Sequence, residues 1–380
     1  MSKVNSTMTA DACHEVIVVG AGAAGVGIGV ALQDAGISDV LVIDRLEIGA
    51  SFALWPREMT FLTPSFPSNS VGPLDLNAVT IRTSPAYSLG LEHPDGASFA
   101  IYLQAVADHH KLNVRLKTDV VAVEKQNEEF RLTTRDSTLR CRFLIWAAGE
   151  FQYPRRNPFP GADYCRHTSL IRSYRRLSGR DFLVIGGYES GIDAAIQLSA
   201  QARKVTVLGR EATWDSESSD PSVALSVYTQ QRLEAAIEDG NKIKLVDDAD
   251  VVQVETHRGR YVASAAGGKT WSSPEQPILA TGFLGSHRLI RQLYEPRDGG
   301  YPTLTENDES TTTSGLFFCG PLVRHDEQVF CFIYKFRMRF AVVAKEIATR
   351  LGLDAEDLEQ YRDKGMYLDD LSCCEDQCEC

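Results

Sequence analysis

The sequence has no cluster of lysine and arginine long enough to form a binding stripe, and its formal net charge of −12 would repel phosphate backbones and anionic lipid. Nucleic acid and membranes are therefore not expected partners. No apolar run reaches the length of a membrane span. The longest, Val16 to Leu32, holds five glycines in a phosphate-loop pattern, which marks a buried strand and helix. Met1 to Ala12 lack the basic start and apolar core of a signal peptide, so a cytoplasmic protein is expected. A disulfide framework is missing too. The nine cysteines are an odd number, five of them scattered (Cys13, Cys141, Cys165, Cys319, Cys331) and four crowded at Cys373, Cys374, Cys378 and Cys380.

What is present is a long-range repeat of strand, glycine turn, helix and strand. The first copy runs from Glu15 through VIVVGAGAAGVGIGVALQDAG to VLVID, ending at Asp44; the second runs from Asp181 through FLVIGGYESGIDAAIQLSAQA to VTVLGR, ending at Arg210. Asp44 lies 19 residues after Gly25, and Arg210 lies 19 residues after Gly191. Each copy later meets an apolar strand closed by small residues, FLIWAAG ending at Gly149 and PILATGF ending at Phe283. GLFFCGP (Gly315 to Pro321) follows, and then an apolar periodicity that predicts one long helix from about Val329 to Leu351.

The fold expected is α/β, with two Rossmann-like three-layer domains, the second inserted in the first. Residues 1–165 form the first part of an FAD-binding domain, 166–282 a nicotinamide-cofactor domain, 283–354 the completing part of the first, and 355–380 an acidic, cysteine-rich tail.

Gly20, Gly22 and Gly25 follow an apolar strand and open a helix, the context in which this glycine pattern binds a pyrophosphate at a helix N-terminus. Asp44, at the end of the second strand, is placed to accept hydrogen bonds from the adenosine ribose. Ala23, Ala24, Arg45, Ser51, Trp55, Ala148, Gly149, Gly320 and Pro321 are the further candidates for contacts to FAD. In the second copy Gly186, Gly187, Glu189, Ser190 and Gly191 form the loop, with Tyr188 where the middle glycine would stand; Thr281 and Gly282 are added from its closing strand. Arg210 replaces the acidic residue. A guanidinium binds a ribose 2′-phosphate that a carboxylate would repel, so NADPH is expected over NADH. The plainer role for Arg210, a solvated strand end, stays open.

These residues resemble the flavoproteins with two dinucleotide-binding domains, in particular bacillithiol disulfide reductase-like and thioredoxin reductase-like proteins and the flavin-containing monooxygenases. The resemblance covers roughly Val16 to Gly352. LWPREMTFLTPS (Leu54 to Ser65) and LVIGGYESGIDAAIQL (Leu183 to Leu198) resemble the first group; LIWAAGEFQYP (Leu144 to Pro154) and FPGADYCRHTS (Phe159 to Ser169) resemble the monooxygenases. The chain departs from the thioredoxin reductases in having no Cys-x-x-Cys between Asp181 and Gly282, and from the bacillithiol enzymes in having Ala24 where they carry a loop cysteine. Pro321 follows Gly320 where the related motif has Asp, which leaves a ribityl contact to backbone N–H groups or to a neighbour such as Asp326.

The resemblance implies hydride transfer from NADPH to FAD, and the second half-reaction stays open. His325, Asp326, Cys331 and Tyr334 fall where related folds approach the flavin, and Cys331 is the flavin-facing thiol candidate, set against the commoner fate of a buried core cysteine. The four tail cysteines are candidates for a redox relay to an external disulfide, for thiolate ligands of Zn or Cu, or for inert exposed thiols. Reduction or exchange of a small-molecule thiol or disulfide substrate, monooxygenation of a nitrogen or sulfur centre, and a metal-binding or redox-sensing flavoprotein are the three readings, and a homodimer is left open.

Overall fold

The structure, a computed structural model, describes residues 13–67, 74–216, 218, 220–240 and 242–372. The chain begins with β1 (Cys13–Val19), α1 (Ala23–Asp34) and β2 (Val40–Ile43). Two short helices, α2 (Ala50–Ala53) and α3 (Pro85–Leu89), precede α4 (Gly96–His109), β3 (Val114–Arg115), β4 (Val120–Gln126), β5 (Glu129–Thr134) and β6 (Thr138–Trp146). Beyond β7 (Arg166–His167), the second unit contains β8 (Asp181–Ile185), α5 (Glu189–Ser199), β9 (Lys204–Leu208), α6 (Val227–Glu238) and β10 (Ile243–Val246). It continues through β11 (Val251–His257), β12 (Arg260–Ala265), β13 (Thr270–Ser273) and β14 (Ile278–Leu279). The chain then returns through β15 (Leu316–Phe318), the hairpin β16 (Arg324–His325) and β17 (Gln328–Val329), α7 (Ile333–Phe336) and α8 (Phe340–Leu351).

Two large sheets follow from this order, beside a three-stranded antiparallel sheet β11-β12-β13 and the β16–β17 hairpin. The first is seven-stranded, β3-β2-β1-β6-β5-β4 with β15 also on β6, and the second is five-stranded, β10-β9-β8-β14-β7. Around β1 and throughout the second sheet the pairing is parallel, because each helix carries the chain back across the sheet face. All strands of the second sheet fall between β6 and β15 in the chain, so the second unit is an insertion into the first. The fold is α/β with two such units.

β1 and β2 are apolar along their inner residues because helices and loops cover both faces of the sheet; Val16, Ile17, Val18, Val42 and Ile43 are fully buried. α1 is buried along both sides because its glycines admit neighbours closely. A Cβ on Gly27 would stand 2.2 Å from the Phe340 ring of α8, so the close packing of α1 on α8 depends on that missing side chain.

Two expectations need correction. The long helix expected from Val329 is broken: residues 324–329 form the hairpin β16–β17, and α7 and α8 are separated at Arg337–Arg339. Both guanidiniums there are buried and turned to fixed acceptors, Arg337 to the carbonyls of Asp75 and Ala78, and Arg339 to the carboxylate of Asp308. Part of the expected tail also belongs elsewhere, since Leu358, Tyr361 and Met366 are buried in the core of the first unit.

Candidate functional site

A cavity of about 870 Å³ begins at the first glycine loop and reaches the N-terminus of α5, at the upper end of the usual range for ligand pockets. Gly20, Gly22, Ala23, Ala24, Asp44, Arg45, Ser51, Trp55, Ala148, Gly149 and Pro321 line it, together with Glu189 and Ser190 of the second loop and Cys331. The loop is shaped by backbone geometry. Gly20 takes φ +109° beside the Ala147 carbonyl, and a Cβ on Gly25 would stand 1.7 Å from the Gly20 carbonyl oxygen. Gly25 thus serves close packing of helix on strand, whereas a Cβ on Gly22 would meet nothing within 4 Å. The first turn of α1 contains no acidic residue and its cap makes no side-chain hydrogen bond, so its N–H groups stay free for an anion.

Asp44 accepts from Ala21 N at 2.8 Å through Oδ2 and from Leu46 N at 2.7 Å through Oδ1. Burial pushes its carboxyl up, and these two backbone bonds oppose the shift. Each oxygen keeps a lone pair for a ribose hydroxyl.

Several expected residues stand back from the cavity. Gly320, at φ +97°, places its backbone against the Ala24 side chain. Thr281 Oγ1 donates to the Arg155 carbonyl at 2.8 Å, and the Gly282 carbonyl accepts from Arg155 N at 2.9 Å and faces His167 Nε2 at 3.1 Å. They tie together the two connecting segments, after β6 and after β14, through which the chain passes between the units. Gly186 and Gly191 repeat the packing role of Gly20 and Gly25, with 1.9 Å between a Cβ on Gly191 and the Gly186 oxygen. Arg210 is exposed, 3.4 Å from Glu211.

His325, Asp326 and Tyr334 do not line the cavity, a correction to their expected place at the flavin. His325 is turned into the protein, with Nε2 at 2.5 Å from Asp308 Oδ1. Asp326 sits exposed at the hairpin turn with φ +46°, outside the cavity lining.

Cys331 is half-buried, with Sγ at 3.3 Å from Ser222 Oγ. Lys335 Nζ donates to the same Ser222 Oγ at 3.0 Å and to Asp220 Oδ1 at 2.8 Å. Burial pushes the thiol pKa up, opposed by the Ser222 hydrogen bond and by the charges of Lys335 and Arg324. Cys373, Cys374, Cys378 and Cys380 lie outside the described residues. Among the described residues no three His, Cys, Asp or Glu side chains gather into a metal site, and no helix is long and apolar enough to cross a membrane.

Three carboxyl groups of the cavity escaped the sequence reading: Asp119, which pairs with Arg135 at 2.9 Å, and the more deeply set Glu150 and Asp193. Glu150, next to Gly149, has its carboxyl pushed up by burial, with Arg324 opposing. Asp193, on α5, accepts from Arg232 at 2.7 Å through Oδ1, while its buried Oδ2 has no hydrogen-bond partner. Both stood within quoted motifs, Glu150 in LIWAAGEFQYP and Asp193 in LVIGGYESGIDAAIQL. Only their burial distinguishes them.

Residues 17–320 match the model of the pyridine nucleotide-disulphide oxidoreductases. The chain belongs to this family. It is accordingly an oxidoreductase enzyme. It is 24% identical over 341 residues to the bacilliredoxin reductase of Bacillus subtilis, covering 89% of this chain and 98% of that protein. Among solved structures it is similar to the bacillithiol disulfide reductase of Staphylococcus aureus, with TM-score 0.70 and 22% identity over 90% of this chain and 99% of the other. A flavin monooxygenase of Stenotrophomonas maltophilia has the same fold, with TM-score 0.69 and 16% identity over 90% of this chain and all of the other (100%). The residues present fit FAD: an open glycine cradle, a free helix N-terminus and Asp44 all border one cavity.

Proposed function

We propose that this enzyme is an FAD-dependent NADPH oxidoreductase that reduces or exchanges a thiol or disulfide substrate. The observation that carries the proposal is that Cys331 and the first turn of α5 border the same cavity as the first glycine loop. The first glycine loop and Asp44 would hold FAD there, and bound FAD would supply a two-electron carrier between the nicotinamide cofactor and the thiol chemistry. Residues 1–165 and 283–354 hold FAD and residues 166–282 bring the nicotinamide cofactor. Arg210 gives a cation for the 2′-phosphate. Arg210→Ala is expected to weaken NADPH more than NADH by about 1.5–3 kcal/mol, the value of a lost charge-assisted contact. Equal losses in calorimetric titrations with the two cofactors would remove that role from Arg210, whose neighbour Glu211 already engages it.

Cys331 supplies the nucleophile. Its thiolate attacks one sulfur of the substrate disulfide, forming a mixed disulfide and releasing the other half as a thiolate that takes a proton. A tail thiolate then attacks the Cys331 sulfur of the mixed disulfide and releases the second substrate half as a thiolate that takes a proton. This leaves a Cys331–tail disulfide whose return to two thiols takes two protons and the two electrons that bound, reduced FAD would supply. The Leu371 carbonyl accepts from Gln328 Nε2 at 3.0 Å, which fixes the start of the tail beside Gln328, a residue three positions before Cys331 in the chain. At about 3.3–3.6 Å per extended residue, Cys378 has a reach of roughly 24 Å from Leu371.

Cys331→Ser should leave anaerobic flavin reduction by NADPH intact and lower disulfide turnover by at least about a hundredfold. Ending the chain after Leu371 should likewise spare flavin reduction while disulfide turnover collapses. Because burial holds the Cys331 thiol above its usual value of about 8.5, wild-type turnover should still be rising at about pH 9. Full disulfide turnover in Cys331→Ser would refute the thiol chemistry. Oxygen-dependent product formation that survives both changes would move the monooxygenase reading, supported by LIWAAGEFQYP, into its place.

A further inference from the structure

The corner of the second unit that should receive an adenosine is filled by the protein itself. A Rossmann unit lays its pyrophosphate on the glycine loop and its adenosine ribose against the end of the second strand. The ribose therefore sits between those two points. Here they are Gly187, in the loop after β8, and Gly209, directly after β9. The indole of Trp214 occupies the space beside both. A Cβ on Gly187 would stand 2.6 Å from Trp214 Cζ3, and one on Gly209 would stand 2.8 Å from Cη2 and 2.9 Å from Cζ3. The ring is thus in tight contact with two backbones whose lack of side chains makes room for it.

Neighbouring contacts hold the indole there. Thr213 Oγ1 donates to the Gly187 carbonyl at 2.5 Å, so the residue before Trp214 is tied to the glycine loop. Tyr188, standing where the middle glycine would be, donates its hydroxyl to the Pro221 carbonyl. Trp214 and Tyr188 both pack onto the buried core of the second unit.

The first unit is an internal comparison with the opposite result. Ala21 is the counterpart of Gly187, and its N–H is joined to the strand-end carboxylate of Asp44 at 2.8 Å. A small polar bridge spans the corner, and Gly22 and Asp44 both face the cavity. One topology therefore gives an open adenosine corner in the first unit and a filled one in the second.

We propose that Trp214 is a plug in the adenosine subsite of the second unit, so that an adenine dinucleotide enters only once the indole has left. This rests on the assignment of the nicotinamide cofactor to that unit, and goes beyond it by naming the residue that sets its affinity. A ribose and an indole cannot share the space between Gly187 and Gly209. Apparent affinity is therefore reduced by the fraction of molecules with the corner open. For an open state populated at about 0.1–10%, the plug weakens binding by about 10- to 1,000-fold. An adenine stacked on the outer face of a stationary indole would have the opposite consequence, since removing the ring would then weaken binding.

The test uses the full-length flavoprotein and the oxidised dinucleotides NADP⁺ and NAD⁺, which bind without reducing the flavin. Calorimetric titration of Trp214→Ala should give a dissociation constant at least about tenfold lower than wild type, with Trp214→Phe in between. Hydrogen exchange adds a readout that needs no variant: saturating wild type with NADP⁺ should speed exchange in residues 209–216. Unchanged or weaker binding in Trp214→Ala, or protection of residues 209–216, overturns the plug while leaving the nucleotide assignment standing. Failure of wild type and both variants to bind either dinucleotide overturns the plug and the assignment together. If Trp214→Ala folds poorly, as judged by flavin content and melting temperature, Trp214→Phe and the exchange experiment decide.

Discussion

Gly25→Ala will yield protein without bound flavin. The added Cβ would stand 1.7 Å from the Gly20 carbonyl oxygen, a separation that real Cβ contacts do not show, so α1 must move off β1. That movement dismantles the loop, because Gly20 and Gly22 both border the cavity and the N–H groups that would meet a pyrophosphate belong to the displaced turn. Forced overpacking of this kind costs about 1–3 kcal/mol in addition to the lost ligand. Gly22→Leu separates the two effects. Gly22 has φ −82°, which leucine adopts freely, and its Cβ meets no protein atom within 4 Å. The variant should keep its far-ultraviolet circular dichroism and still purify colourless, because the leucine side chain extends into the cavity. Visible absorbance of the purified proteins reads both outcomes, and full flavin retention in either variant would refute the assigned loop.

Residues adjacent in the chain carried most of the legible information. The two glycine loops were readable because strand, turn and helix follow within a few residues, and because the spacings to Asp44 and Arg210 repeat. Candidates close to the first loop, such as Ser51, Trp55 and Gly149, do border the cavity. What stayed hidden depends on partners distant in sequence. Trp214 meets Gly187 through a loop whose path no local pattern encodes, and an arginine inside an apolar periodicity looks like a solvated position. Arg339 is instead fully buried because Asp308, 31 residues earlier, receives it. The helix expected to run unbroken from Val329 instead begins at Ile333 and tightens into a 3-10 turn at Arg337–Arg339 before α8 continues to Leu351. His325 looked like a flavin neighbour from its place after β15, and its actual partner is also Asp308, 17 residues away.

That buried cluster gives the largest stability effect expected in the molecule. Asp308 is fully buried, with Oδ1 at 2.5 Å from His325 Nε2 and 3.0 Å from Arg339 Nη2, and with Oδ2 at 3.0 Å from Arg339 Nε. Arg339 also donates to the carbonyls of Glu306 and Leu368, and the Asp308 carbonyl accepts from Phe318 N of β15 at 2.9 Å. The cluster therefore joins the last strand of the first sheet, the entry to α8 and the segment leading to Leu371. Asp308→Ala leaves a guanidinium in the interior without its carboxylate. Removing one partner of a buried pair costs about 3–5 kcal/mol, because the remaining charge keeps its desolvation penalty and loses its compensation. The denaturant midpoint for flavin release should fall accordingly. Asp308→Ala combined with Arg339→Met should recover part of that loss, since the double variant buries no unpaired cation, and a well-packed apolar replacement of an ion pair is often neutral. If the double variant is instead as unstable as the sum of the single ones, Arg339 acts through its bonds to Glu306 and Leu368, and the carboxylate is not what holds it in the core.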